Sequence, residues 1–196
     1  MKFHGHELFT ILIACLIHEE RWELISKLLA ESIPVKYVRR ESGPGNCFFA
    51  DISQSLVFSS QLSQLRECMS IHADILKARH ASERVLGQII PFDAFIDADY
   101  FLFLRGELAP ETAPAASFAW RPWSTPFLTE VPRFIRDAES LTVARRIAAA
   151  LGLPDVPTFR QRLAERASKL QRMWTRGWWD EPLHAADIDR IGTRGT

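Results

Sequence analysis

The chain has 196 residues, of which 47% are hydrophobic and 11% aromatic, enough apolar surface for a cored domain and too much for an intrinsically disordered chain. Lysine plus arginine and aspartate plus glutamate each total 24, so the overall balance gives no pull toward nucleic acid or a membrane surface. Cys15, Cys47 and Cys68 have neither zinc-site spacing nor the density of a secreted disulfide scaffold, which points to a reducing cytoplasm.

The first predicted element runs from Gly5 to Ser32. Leu8, Ile11, Leu12, Cys15 and Leu16, then Trp22, Ile25, Leu28 and Leu29, recur at helical spacing and predict one apolar, core-facing side. The charged run His18 to Arg21 divides this segment into two helices. The stretch Leu8 to Ile17 is ten residues long, too short to cross a bilayer. Leu12-Ile13-Ala14-Cys15 resembles the lipobox of a bacterial lipoprotein precursor. His4, His6 and Glu7 beside it, and the amphipathic continuation through Trp22, argue instead for Cys15 as a small core residue. Because the helix starts almost at Met1, a place within a longer polypeptide stays open.

Ile33-Pro34 stops the helix. Val35 to Val38 alternates, and the Ser42-Gly43-Pro44-Gly45-Asn46 turn leads into Cys47-Phe48-Phe49, so a small β-hairpin is predicted near 35–49. Asp51 to Phe58 predicts a short helix. Ser60 to Gln88 predicts a long amphipathic one of about eight turns, with Leu62, Leu65, Met69, His72 and Leu76 as its seam. After Pro91, Phe92, Phe95, Ile96 and Phe103 share one side at helical spacing, although Tyr100 to Leu104 alone also reads as a buried strand.

Residues 106–132 change character: five prolines lie among Phe118, Trp120, Trp123 and Phe127. This is a connecting loop whose aromatics are costly to leave in water and are expected to pack on the body. A basic helical pair is predicted over 133–151 and 158–176, the second opened by a capping box at Thr158-Phe159-Arg160-Gln161. Residues 133–176 carry ten basic and four acidic side chains, +6; residues 177–196 carry −2, leaving −4 on 1–132. Arginine outnumbers lysine 19 to 5, a usage expected of a GC-rich bacterial genome.

The predicted architecture is therefore mainly α-helical: a multi-helix body over 1–105, the 106–132 loop, a basic helical pair over 133–179 and a flexible tail over 180–196.

Three sets of residues carry candidate chemistry. Arg66 and His72 form an Arg-x5-His pair that resembles the short motif of the helical HEPN ribonucleases, where arginine and histidine activate a ribose hydroxyl and stabilise the phosphorane. Such a pair arises easily by chance in an arginine-rich chain, and Glu67 beside it would repel RNA phosphate. The seam position of His72 favours a core histidine instead. Asp93, Asp97 and Asp99 could share a hard cation, but no phosphate loop or histidine accompanies them, and such carboxylates ordinarily solvate a helix start. No metal site or cofactor is predicted.

On the last basic helix, Arg162, Arg166, Lys169, Arg172 and Arg176 form a stripe able to face phosphates, with Trp178 or Trp179 stacking on an unpaired base. The alternative is a solvated face whose arginines pair with the acidic first part of the chain. Trp174, Trp178 and Trp179 are the candidate partner-docking residues. A well-patterned core without a convergent catalytic set predicts a non-enzymatic helical interaction or regulatory module, part of a larger bacterial assembly, with a protein partner or a second copy of itself. Nucleic-acid binding through the basic helix and a HEPN-like ribonuclease are the alternatives.

Overall fold

The computed structural model of the protein describes residues 2–31, 33–35, 45–47, 49, 52, 70–81, 86–108, 120, 122–174 and 185–195, with backbone alone for 2, 33–35, 45–47, 167–174 and 185–186. The fold is mainly helical. Its elements are α1 (Lys2–His18), α2 (Trp22–Ala30), β1 (Ile33–Val35), β2 (Gly45–Cys47), α3 (Ile71–Ala81), α4 (Leu86–Ile89), α5 (Phe92–Leu108), a 3-10 turn at Thr125–Phe127, α6 (Arg133–Asp137), α7 (Leu141–Ala150), α8 (Val156–Trp174) and α9 (Ala185–Arg190).

The centre is α5. Pro91 offers its carbonyl to the amide of Phe95 at 3.2 Å, and Phe95, Ile96, Ala98 to Leu104 and Leu108 are all buried. A helix so nearly apolar all round is expected to be enclosed, and here α1, α8 and α3 pack on it while α2 packs on α7. The strand reading of Tyr100 to Leu104 is thereby corrected: the same apolar run is satisfied as the interior of a helix.

The predicted division near His18 to Arg21 is made by a Schellman turn. The amide of Glu20 donates to the carbonyl of Ile17 and that of Arg21 to Leu16, at 3.0 and 2.8 Å, with Glu20 in the left-handed region at φ 52°. That position favours glycine. Here Arg146 braces it, one guanidinium nitrogen on the Glu20 carbonyl at 2.6 Å and another on its carboxylate at 3.2 Å.

The strands β1 and β2 pair antiparallel, with Ile33 opposite Cys47 and Val35 opposite Gly45. The ladder includes Pro34, tolerable where only one neighbouring strand needs amides. The expected continuous helix over 60–88 is corrected at Ser70: its hydroxyl accepts the Ala73 amide at 3.3 Å, capping a helix that begins at Ile71. Leu62, Leu65, Arg66 and Met69 lie outside the described residues, as does most of Asp51 to Phe58.

The first helix expected after residue 132 is two: α6 ends at Asp137, and Ser140 precedes α7. Helix α7 closes on a second Schellman turn, with Gly152 at φ 74°. Leu153 donates to Ala148 and Gly152 to Ala149, at 2.8 and 2.9 Å. The predicted Thr158 capping box is also corrected. Asp155 is the cap, its carboxylate accepting the Thr158 amide at 2.7 Å, because helical geometry already starts at Val156.

The flexible-tail expectation does not hold for 185–195. Ile188 and Ile191 are buried. Gly192 donates to the Ala138 carbonyl at 2.7 Å and Arg194 to Glu139 at 2.8 Å, while Leu141 donates back to Arg194 at 3.0 Å. Two isoleucines and a row of backbone bonds fasten a segment whose composition looked merely polar.

Candidate functional site

Helix α1 carries its polarity inside out. Its buried positions include His6, Glu7 and Thr10, alongside Phe3, Ile11, Ile13 and Ala14. Leu8 and Leu12 point outward, 62% and 44% exposed, with Cys15 and Leu16 half-buried along the same edge. The sequence pattern had placed Leu8 and Leu12 in the core. What rotates the helix is a set of polar partners that a hydrophobicity pattern does not weigh.

The first is Asp99 on α5, which has no solvent exposure. Its Oδ1 accepts the Trp120 indole N–H at 2.7 Å, and its Oδ2 accepts the Ser124 amide and hydroxyl at 2.8 and 2.7 Å. His6 Nε2 stands 3.3 Å from Oδ1. That approach is electrostatic, since neither His6 nitrogen meets hydrogen-bond geometry. The imidazole lies between two indoles, its centroid 4.4 Å from Trp120 and 4.0 Å from Trp123, both stacked. Burial alone would push the Asp99 carboxyl up, but the charge and proximity of His6 and the Ser124 and Trp120 donors outweigh it and hold the carboxyl below its ordinary value.

The second partner is Arg79 on α3, whose guanidinium grips the buried Glu7 carboxylate in a fork at 2.7 and 2.9 Å. Glu7 raises the Arg79 pKa through this bond. Thr10 is satisfied locally, donating to the His6 carbonyl at 2.9 Å. Both carboxylate centres are closed to solvent on the carboxylate side. They join α1 to α5, α3 and the 120–127 segment, and hold it in one rotational setting.

His72 sits in the same aromatic layer, 4.5 Å from Trp123 and 6.4 Å from Phe3 between centroids. Burial, then the neighbouring His6, lowers its pKa. Its proposed partner Arg66 lies outside the described residues, so their convergence has no geometry to rest on. In the basic stripe, Arg162 donates to the Leu108 carbonyl at 3.4 Å and Arg166 stands 3.8 Å from Glu107, both on α5. Lys169, Arg172 and Trp174 fall on α8 with only backbone described, and Arg176, Trp178 and Trp179 lie outside the described residues.

A separate pocket of about 280 Å³ opens where the α1–α2 turn meets α5, α6 and α7. Asp97, Arg133, Asp137, Glu20, His18 and Trp22 line it. Asp97 Oδ2 accepts the Arg133 amide at 3.1 Å. Burial pushes the Asp97 carboxyl up to about 6, and the Arg133 amide and neighbouring arginines only partly offset this. The Trp22 indole N–H is buried and meets no acceptor among the described residues.

The sequence offered Asp93, Asp97 and Asp99 as one carboxylate group. The structure sets Asp99 apart, facing the core, while Asp97 and the exposed Asp93 remain neighbours on the outer side of α5. Among the described residues no set of three His, Cys, Asp or Glu side chains is placed to hold a metal. The one sequence signal for Asp99 was a carboxylate embedded in Tyr100-Phe101-Leu102-Phe103, where an unpartnered charge would be costly.

No protein-family model matches the chain, and neither do any characterised protein or solved structure in the comparisons made. Among the described residues no helix is long and apolar enough to cross a membrane.

Proposed function

We propose that the chain is a non-enzymatic protein-interaction module and that the outer face of α1 is its contact surface. The observation that supports this is the inversion of α1. A helix spends His6, Glu7 and Thr10 on its inner side and leaves Leu8 and Leu12 in water. Scattered surface leucines need no explanation, but these stand one turn apart on a helix held in that setting by two buried carboxylate contacts. Burying such a pair against an apolar partner surface would recover about 1.5–3 kcal/mol per side chain. On this reading the chain works in a reducing compartment, which the spacing of its cysteines supports.

The nucleic-acid reading is not advanced, because Arg162 and Arg166, needed on phosphates, contact α5 instead.

The test compares the wild-type chain with Leu8→Glu/Leu12→Glu by affinity capture from the native host and by sedimentation of the purified protein. The reading expects a stoichiometric protein, or a second copy of this chain, to bind the wild type and be lost in the variant while the helical circular dichroism is kept. Identical association by both proteins would overturn it.

A further inference from the structure

We propose that the pocket floored by Asp97 is a binding site for a small primary ammonium group, independent of the α1 face. The argument rests on which charges in and around it are already matched. Glu20 is held by Arg146 at 3.2 Å, and Asp137 stands 3.6 Å from Arg133. On the far side of Asp97, Arg136 is 3.6 Å from Glu130, and Asp93 adds further negative charge. Asp97 itself accepts the one backbone amide of Arg133. Among the described residues it forms no ion pair. Arg133 and Arg136 act on Asp97 only through space while standing beside Asp137 and Glu130, which leaves a half-buried carboxylate with no cation in direct contact.

Geometry narrows the class of cation. Oδ2 already accepts the Arg133 amide, so Oδ1 is the carboxylate oxygen with no partner among the described residues. That suits the point charge of an ammonium better than the two-pronged fork of a guanidinium. A hard metal would need several more oxygen ligands than this pocket supplies. Ile17, Val143 and the carbon face of the Trp22 ring give the walls apolar surface that suits a short alkyl chain, while the Trp22 N–H meets no acceptor among the described residues. A volume of about 280 Å³ lies just below the range typical of drug-sized ligands. His18 stands exposed at the rim.

The raised carboxyl adds a signature. An ammonium requires the ionised form, and with a carboxyl near 6 the ionised fraction rises about tenfold between pH 5 and 7, strengthening apparent affinity by the same factor.

The experiment uses the full chain with n-butylammonium as probe, and 1-butanol and butyrate as neutral and anionic isosteres. The readout is the Trp22 indole resonance, assigned by its absence in Trp22→Phe. The expected result is a saturable shift with butylammonium alone, about tenfold tighter at pH 7 than at pH 5, and weakened at least about tenfold in Asp97→Asn. A shift produced equally by butanol, a shift produced by butyrate, an unaltered response in Asp97→Asn, or no saturable shift would each overturn the proposal. Should Asp97→Asn fail to fold, the carboxyl titration of Asp97 in the wild type decides. Saturating butylammonium must lower its midpoint, and an unmoved midpoint overturns the site.

Discussion

His6 and Asp99 meet in the middle of the protein, Nε2 3.3 Å from Oδ1, with neither side chain exposed. The contact ties the first turns of α1 to the centre of α5 and brings Trp120 and Ser124 in behind it. Removing Asp99 therefore leaves the indole of Trp120 and the amide and hydroxyl of Ser124 without their acceptor, and the His6 ring without the carboxylate it faces. Asp99→Ala is expected to cost about 3–5 kcal/mol in urea unfolding, with Asp99→Asn milder because one oxygen remains. A loss below about 1 kcal/mol would mean the centre is not the pin described here.

The two α5 carboxylates respond to pH in opposite senses. Asp99 is held below its ordinary 3.8, so its contribution is complete above that value and is lost as pH falls through its folded-state midpoint. Asp97 is pushed up from 3.8 to about 6. The folded state then holds its proton over that window while the unfolded state releases it, and stability falls as pH rises from 3.8 to about 6. Asp97→Asn is expected to flatten this fall and to stabilise the protein at pH 7 by up to about 3 kcal/mol. Thermal unfolding at pH 4.5 and pH 7 measures it, and an unchanged pH slope in the variant would count against the assignment.

The rotational setting of α1 separates neighbouring residues. Ile11 is buried and Leu12 is not. Ile11→Ala is expected to cost about 2–5 kcal/mol, whereas Leu12→Ala stays within about 0.5 kcal/mol. The reverse order in chemical denaturation would place the wrong face of α1 against the core.

Arg79 holds a Glu7 carboxylate that is almost wholly buried, while its own side chain is 41% exposed. Arg79→Ala leaves that carboxylate without its fork and is expected to cost about 2 kcal/mol. The double change Glu7→Leu/Arg79→Leu removes both charges together and should recover most of the loss. A double-mutant cycle with no coupling would show the pair to be a surface contact in effect.

Gly152 has φ 74°, and a Cβ there would lie 1.4 Å from a terminal nitrogen of Arg105. That guanidinium donates to the neighbouring Leu151 carbonyl, and burial lowers its pKa. Gly152→Ala must strain the turn and displace Arg105 together, at about 1–3 kcal/mol. A neutral result in thermal unfolding would mean that the loop relaxes freely.

Which segments are helical could be read from the chain alone. Spacing of apolar side chains marked α1, α2, α5 and α8, Pro34 marked the stop before the strands, and the charged run at His18 to Arg21 marked the division of α1 from α2, because these depend on neighbours a few residues away. Rotation and docking were not local. The apolar side chains of α1 allow more than one inward face, and the choice fell to His6 and Glu7, whose partners Asp99 and Arg79 lie 93 and 72 residues further on. The same holds for the 185–195 segment, ordered by Ala138, Glu139 and Ser140 rather than by its own composition, and for Asp97, which becomes a pocket floor only when α6 closes over it. A sequence pattern records where apolar area is available. Which buried charge finds a partner, and which leucine is left in water as a result, is decided only when distant segments meet.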